Sequence, residues 1–184
     1  AGMHDADGRI TLPHFYDNVR SLSDEERAEL ARLTTNEAEI MSQAGVKELT
    51  GEAGYTALER IVARPTLEIN GLLSGFTGEG SKTVLPARSM AKISCRLVPD
   101  QDPYEVKRQM NQYLEEHVPS TVRWELILHS VGYPSITNVD HPAVRAMSKA
   151  LEEVWGVRPL YRREGGSIPV VAQMQQHLKI ESVL

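Results

Sequence analysis

The sequence predicts an α+β fold: a ferredoxin-like antiparallel sheet with helices, followed by a strand-loop-helix-strand piece of an α/β domain. Two stretches, 66–73 and 89–98, alternate apolar and polar side chains as half-buried strands do. Asp102 and Pro103 then supply the N-cap and the first-turn proline of a helix. Over 55–131 the order helix, strand, strand, helix, strand matches a ferredoxin-like sandwich without its opening strand. A different sheet order would also account for the absence of that strand.

The first third of the chain is strongly charged and predicts three short helices. Ser23 and Glu26 have the S-x-x-E spacing of a capping box, so the first helix is expected over about 27–33. The second is expected over about 36–43 and the third over about 54–63, where the next proline ends it. Acidic residues in the first helical turn are expected to favour the helix dipole rather than to form a catalytic pair.

The elements of the middle third each have one apolar face. In the second strand this face comprises Ala91, Ile93, Cys95 and Leu97, and the polar face comprises Lys92, Ser94 and Arg96. The helix after Asp102 is expected to end near His117 and to bury Val106, Met110, Tyr113 and Leu114. A third strand is expected over 121–131, with its inward side formed by Val122, Trp124, Leu126 and Leu128. Because Cys95 lies on an apolar face, we expect an inert core thiol rather than a nucleophile.

The last third has the pattern of a different domain. Asp140 is expected to cap a helix that ends at Gly156. A short strand over 160–162, a glycine-rich loop, a helix over about 169–178 and a strand over 180–184 are expected to follow. Such strand-loop-helix-strand units are typical of parallel α/β domains.

Charge and cysteine content exclude several classes of protein. The 184 residues carry a net charge of -5, which argues against a nucleic-acid-binding surface. The single cysteine cannot form an internal disulfide, and no apolar stretch is long enough to span a membrane. We therefore expect a cytoplasmic protein with neither nucleic acid nor membrane as a partner. A polar loop at the start and a strand-like apolar pattern at the end predict a piece of a longer protein.

Two positions have the chemistry to bind an anionic ligand. Arg96 projects from the polar face of its strand, where a guanidinium can hold a carboxylate through two N–H groups. The alternative is an exposed arginine paired with a nearby acid. The stretch 165–169 (GGSIP) lies where a helix begins, so its free backbone N–H groups can also bind an anion, although an ordinary turn remains the alternative. The six histidines lack metal-site spacing, so none is assigned to a metal.

Four strings in a fixed order resemble one known family. They are GLLSGF (71–76), GSKTVLP (80–86), SCRLVP (94–99) and REGGSIP (163–169). In these strings the chain resembles the metal-dependent peptidases that include cytosolic dipeptidase, carnosinase, aminoacylase, succinyl-diaminopimelate desuccinylase and glutamate carboxypeptidase. The resemblance is closest to the carnosinase and dipeptidase branch, and it is good over about 65–171.

The resemblance implies an enzyme with two domains, of which this chain holds parts. Residues 1–135 would form most of a lid or dimerisation domain, helical and charged over 1–64 and made of sheet and helix over 65–135. Residues 136–184 would be part of the catalytic α/β domain. Two zinc or manganese ions would be bound in the intact enzyme, with no metal ligand and no catalytic residue in this chain. The chain alone is therefore expected to be inactive.

The resemblance also implies which residues contact the substrate, a dipeptide or N-acyl amino acid. Thr83 would reach the site of the partner subunit in a homodimer formed through the lid. Arg96 would bind the terminal carboxylate of the substrate. Ser167, with the backbone of Gly165 and Gly166, would hold the substrate near it. The alternative is a non-catalytic ferredoxin-like module for small-molecule binding or dimerisation.

Overall fold

A computed structural model describes residues 2–33, 37–164, 168–180 and 182. Along the chain the helices and strands are α1 Asp24–Ala31, α2 Glu37–Ala44, α3 Ala57–Ala63, β1 Thr66–Ser74, β2 Ser89–Arg96, α4 Pro103–His117, α5 Pro142–Trp155 and α6 Pro169–Gln173. A π-helical turn, Met174–Leu178, continues α6. Helices combined with an antiparallel sheet confirm the predicted α+β class. The expected start of α2 at Asn36 lies outside the described residues.

Side-chain caps are present at the starts of α1, α3 and α4. The capping box predicted at Ser23 and Glu26 is present: Glu26 N–H donates to Ser23 Oγ at 3.1 Å, and Ser23 N–H donates to the Glu26 carboxylate at 2.8 Å. Thr56 and Glu59 form a second capping box at the start of α3. Asp102 accepts hydrogen bonds from two backbone N–H groups of α4, as predicted. These contacts satisfy N–H groups that the first turn of a helix otherwise leaves unpaired.

The two strands form an antiparallel hairpin. Its register pairs Thr66 with Arg96 at one end and Ser74 with Ser89 at the other. We call the Thr66–Arg96 end the hairpin base and the Ser74–Ser89 end the hairpin tip. Residues 75–88 connect the strands at the tip and contain no helix or strand. The base therefore adjoins α3 and α4 along the chain, whereas the tip extends away from them.

The prediction of a third strand is wrong. Residues 121–131 form no strand, and the described part of the chain holds a sheet of two strands rather than three. Leu126 packs partly against the core, whereas Val122, Trp124 and Leu128 are exposed. Alternating apolar residues form a strand only where a neighbouring strand offers hydrogen-bond partners. No strand of the described residues pairs with this segment.

Three further expectations concern the last third of the chain. Residues 160–162 form no strand, because no neighbouring described strand pairs with them. His141, rather than Asp140, is the N-cap of α5. Since a proline disfavours helical backbone in the residue before it, Pro142 leaves His141 extended, which is the conformation of an N-cap. The strand expected over 180–184 lies mostly outside the described residues, and its two described members are in no strand.

The main core lies between α4, the hairpin base and the N-terminal segment. Its buried members are Ile10, Leu12, Phe15, Leu67, Val106, Met110 and Tyr113. The predicted apolar face of α4 is thereby confirmed. Ile93, Cys95 and Leu97 pack partly against this core, while Ala91 of the same predicted face is exposed. Burial, with a smaller contribution from Glu68, raises the pKa of the Cys95 thiol to about 11, so the thiol stays protonated and inert at neutral pH.

A second, smaller core joins α1 to α3. Leu30 of α1 is buried with Val62 and Ala63 of α3. Leu22, Leu33 and Leu58 pack around them. Burial of apolar surface contributes roughly 25 cal/mol per Å², so this contact holds the two helices together as one pair.

A buried ion pair fixes the C-terminal end of α3. Arg64, the residue after α3, donates its Nε–H to Glu52 Oε2 at 2.7 Å and its Nη2–H to Glu52 Oε1 at 2.8 Å. Both side chains are only 6% exposed. The guanidinium of Arg64 also lies over the rings of Tyr55, at 4.3 Å, and Tyr16, at 5.3 Å. We call Tyr16, Glu52, Tyr55 and Arg64 the arginine clasp.

The arginine clasp reaches into the N-terminal segment. Arg9 donates to Glu52 at 3.2 Å and lies over the ring of Tyr16 at 4.3 Å. The hydroxyl of Tyr16 accepts a hydrogen bond from Ile10 N–H at 3.0 Å. Burial opposes the charge of Arg64, but the hydrogen bonds and negative charge of Glu52 raise its pKa above the ordinary value. The clasp therefore joins the N-terminal segment, the loop before α3 and the end of α3.

We expect Glu52→Gln to lower the free energy of unfolding by about 3–5 kcal/mol, because it leaves a buried guanidinium without its counter-charge. Urea unfolding of the chain measures this change. Glu48→Gln removes the same charge from an exposed side chain in the same loop and should change stability by less than about 0.5 kcal/mol. Equal effects of the two substitutions would contradict the assigned role of the clasp.

Candidate functional site

Arg96 lies at the hairpin base and binds the end of α3. Its Nη2 group donates to the carbonyl oxygens of Arg60, at 2.9 Å, and Arg64, at 2.8 Å. The last carbonyls of a helix have no partner within the helix, so a cation that donates to them also complements the helix dipole. The Arg96 side chain therefore joins β2 to the C-terminal end of α3.

The donors of Arg96 are only partly used. A guanidinium has five N–H groups, and the two bonds to α3 both come from Nη2. Within the described residues, Nε and Nη1 make no hydrogen bond. They remain as donors that a carboxylate can use while Arg96 stays attached to α3.

The electrostatic surroundings of Arg96 include two acidic residues. Partial burial lowers the pKa of the Arg96 guanidinium, and the negative charges of Glu68 and Glu164 oppose this change. Glu68 lies on β1 opposite Ser94. Glu164 directly precedes the predicted substrate loop. Gly165, Gly166 and Ser167 themselves lie outside the described residues.

Thr83, the remaining predicted contact residue, lies elsewhere. It is exposed in the connection 75–88, at the hairpin tip. The hydrogen bonds of Arg96 go to Arg60 and Arg64, and neither involves Thr83. Within one copy of the chain, the structure does not place Thr83 in the same site as Arg96.

The hairpin changes from buried at its base to exposed at its tip. Leu67, near the base, is 2% exposed, whereas Leu72 is 75% exposed and Leu85, in the connection, is 92% exposed. The exposed apolar residues of this region are Ile69, Leu72, Leu73, Phe76, Val84, Leu85 and Met90. We call this set the tip surface. Large exposed apolar patches mark interaction sites, and this concentration of exposed apolar side chains in one hairpin makes the tip surface a candidate for one.

The described residues hold no centre for a metal ion. No group of three or more His, Cys, Asp or Glu side chains among them has the arrangement to bind one. A search of the described helices also finds none with the length and apolar content to cross a membrane. The described residues thus offer two separate candidate features: Arg96 with its support on α3 at the hairpin base, and the tip surface at the other end.

Comparison with known families assigns most of the chain to one domain family. The family model for the peptidase dimerisation domain matches residues 6–122. The chain belongs to the peptidase dimerisation domain family. The matched range includes the arginine clasp, the hairpin with its tip surface, and α4. The resemblance found in the sequence strings is thereby confirmed.

Two curated relatives of this chain are named as dipeptidases. A Cys-Gly metallodipeptidase of Candida albicans is 29% identical in an alignment of 185 positions that covers 98% of this chain and 38% of the relative. The human β-Ala-His dipeptidase is 30% identical in an alignment of 183 positions that covers 98% of this chain and 36% of the relative. The chain thus spans less than two fifths of the length of these relatives.

Solved structures show the same fold. A metallo-carboxypeptidase from Sulfolobus solfataricus superposes with a TM-score of 0.80 at 32% identity, over 98% of this chain and 40% of that protein. Human carnosine dipeptidase 1 superposes with a TM-score of 0.73 at 26% identity, over 97% of this chain and 38% of that protein. Both matches extend beyond the dimerisation domain into the last third of the chain.

We expect Arg96→Ala to destabilise the chain by about 1–3 kcal/mol, because it leaves two partly buried carbonyls at the end of α3 without a donor. Thermal or urea unfolding measures the loss. Lys92→Ala removes a cation from the same face of β2, and Lys92 makes no hydrogen bond within the described residues, so its effect should stay below about 0.5 kcal/mol. An Arg96→Ala chain as stable as the wild type would show that the bonds to α3 contribute nothing.

Proposed function

We propose that the chain supplies the dimerisation surface and the substrate-carboxylate contacts of a metal-dependent dipeptidase. The observation that carries the proposal is the exposed tip surface on a domain of the peptidase dimerisation family. The substrate is a dipeptide or a related N-acyl amino acid, in keeping with the dipeptidases among the relatives. Two zinc or manganese ions are the catalytic metals of the complete enzyme, and the described residues take no part in holding them.

Residues 1–135 form the lid of the complete enzyme in this proposal, and residues 136–184 belong to its catalytic domain. The change in pattern near 135 supports this division, as does the exposed apolar face of α5. Met147, Val154 and Trp155 of that helix are 51% or more exposed. A helix with such a face is expected to be covered by a further part of its domain.

Dimerisation through the tip surface joins two copies of the chain about a two-fold axis. An interface of this type uses the same patch on both subunits, so an apolar patch can bury itself against its own copy. Thr83 lies beside Val84 and Leu85 of the tip surface. A residue at this interface is well placed to reach into the partner's site, although it is far from Arg96 along its own hairpin.

Substrate binding uses the remaining donors of Arg96. Attachment to α3 holds the guanidinium in one orientation before the ligand arrives, which lowers the entropic cost of binding a carboxylate. The loop 165–167 follows Glu164, whose charge acts on Arg96. Ser167 and the backbone of Gly165 and Gly166 bind the same end of the substrate in this proposal.

We expect the purified chain to form a dimer of twice the 20.5 kDa chain mass through the tip surface. Leu72→Glu places a charge in the interface once in each copy and should weaken dimerisation at least about tenfold, or about 1.4 kcal/mol. Light scattering over a concentration series measures the dissociation constant. Val46→Glu introduces the same charge at an exposed apolar residue outside the tip surface and should leave the dimer intact. A wild-type monomer, or equal effects of both substitutions, would contradict this interface.

In the complete enzyme, Arg96→Ala should lower kcat/KM for a dipeptide by a factor worth about 2–5 kcal/mol, as expected for loss of one partner of a desolvated charge pair. The matched substrate is the same dipeptide with its C-terminal carboxylate converted to an amide. Because the amide carries no negative charge, the substitution should change kcat/KM for it far less. Steady-state kinetics with both substrates measure the difference, and equal losses would show that Arg96 does not recognise the carboxylate.

A further inference from the structure

The side chain of Arg60, in α3, binds the loop that precedes this helix. Its Nε–H donates to the carbonyl oxygen of Glu52 at 2.9 Å, and its Nη1–H donates to that of Thr50 at 3.2 Å. The same side chain lies against Gly51, where an added Cβ atom would be 3.1 Å from the Arg60 Cδ. We call residues 50–52 the anchor loop. Arg60 therefore contacts every residue of the anchor loop.

Both residues whose carbonyls hold Arg96 are attached to this loop. The carbonyl oxygens of Arg60 and Arg64 accept the two hydrogen bonds from Arg96 Nη2. The Arg60 side chain binds the backbone of the anchor loop, and the Arg64 side chain binds the carboxylate of Glu52 in the same loop. The anchor loop therefore holds both acceptors of Arg96 at once.

The N-terminal segment in turn fixes the anchor loop. Ala53 N–H donates to the carbonyl oxygen of Asp7 at 2.8 Å. Gly8 approaches Gly51 so closely that an added Cβ atom at Gly8 would lie 2.5 Å from the Gly51 carbonyl oxygen. Gly8 also has a φ of 73°, which residues with a Cβ atom rarely adopt. The position of the anchor loop is thus determined by backbone contacts on the side of the N-terminal segment as well as by α3.

Support of this kind determines how Arg96 meets a ligand. Both bonds to α3 come from Nη2, so they set the plane of the guanidinium and the directions of its Nε–H and Nη1–H groups. A carboxylate bound by two N–H groups requires that plane in one orientation. A guanidinium that is already held loses less conformational entropy when the carboxylate binds. Contacts that hold the two acceptors in place therefore affect the affinity of Arg96 for a carboxylate.

We propose that Arg60 is a positioning residue that orients the Arg96 guanidinium for a carboxylate through its attachment to the anchor loop. This inference rests on the proposed function, because Arg96 is taken there to bind the terminal carboxylate of the substrate. Arg60 does not contact the substrate itself. Its two hydrogen bonds to the anchor loop keep the end of α3, and with it the acceptors of Arg96, in one place.

The test variant is Arg60→Ala. It removes both hydrogen bonds to the anchor loop but keeps the backbone carbonyl that Arg96 uses, and alanine preserves α3 because it has the highest helix propensity. Arg60→Lys is a milder second variant. It keeps the positive charge, but one ammonium group replaces the planar guanidinium that binds two carbonyls. The control is Arg32→Ala, which removes the same side chain from an exposed position at the end of α1.

The first measurement concerns the Arg96 guanidinium in the purified chain. Nitrogen-15 NMR reports how fast the Nη2 group rotates about its bond to Cζ, and the two hydrogen bonds to α3 slow this rotation. Rotation should become at least about threefold faster in Arg60→Ala, because weaker support costs a fraction of the strength of those bonds. Arg60→Lys should show a smaller increase, and Arg32→Ala should show none.

The second measurement is steady-state kinetics of the complete enzyme. Arg60→Ala should raise KM for a dipeptide about fivefold with kcat changed less than about twofold, as expected when binding is lost equally in the ground state and the transition state. KM for the corresponding dipeptide amide should not change, whereas general destabilisation would affect both substrates equally. Arg60→Lys should recover KM only in part, since the charge alone does not hold the anchor loop.

The outcomes separate this inference from the proposed function. Unchanged KM in Arg60→Ala, an equal rise for the dipeptide and its amide, or full recovery in Arg60→Lys overturns the positioning role. Equal losses for the two substrates in Arg96→Ala contradict the proposed function instead. In that case, faster rotation of the Arg96 Nη2 group in Arg60→Ala still supports the attachment of Arg96 through the anchor loop, and unchanged rotation overturns it.

Discussion

The buried pairing of Arg64 with Glu52 is the interaction on which the site depends. The Arg64 side chain contacts Glu52, Tyr16 and Tyr55. The backbone carbonyl of Arg64 accepts one of the two hydrogen bonds that hold Arg96. A guanidinium is costly to bury without a counter-charge, so the clasp has few alternative arrangements. The clasp fixes the position of the end of α3. Hydrogen bonds to the end of α3 in turn fix the position of the Arg96 guanidinium, which is proposed to bind the substrate.

Away from the clasp, the residues of the hairpin are buried at its base and exposed at its tip. Its base is packed against α4 through Leu67, whereas its tip presents apolar residues that a single copy of the chain does not cover. Such a surface is unfavourable in an isolated molecule and favourable in an assembly. The two functions proposed for the chain therefore lie at opposite ends of the hairpin: carboxylate binding at the base and dimerisation at the tip.

Local signals in the sequence predicted much of this fold. The capping box at Ser23 and the N-cap at Asp102 depend on neighbours within three residues, so spacing alone identified them. A strand over 121–131 requires a partner strand, and the periodicity of a sequence does not show whether such a partner is present. Arg96 was recognised as a candidate from its strand face, but its acceptors belong to α3, about thirty residues earlier, and no local pattern predicts them. The same limit applies to the clasp and to the close approach of Gly8 to Gly51, both of which arise only when distant segments pack.

The most direct test of this account is the mobility of the Arg64 guanidinium in solution. Nitrogen-15 NMR of the chain measures how fast each arginine Nε–H exchanges with water. If the clasp is formed, the Arg64 Nε–H should exchange at least about 100-fold more slowly than that of Arg88, which is exposed in the connection between β1 and β2. Equal exchange rates for Arg64 and Arg88 would contradict the account, because the support of Arg96 would then lack its buried anchor.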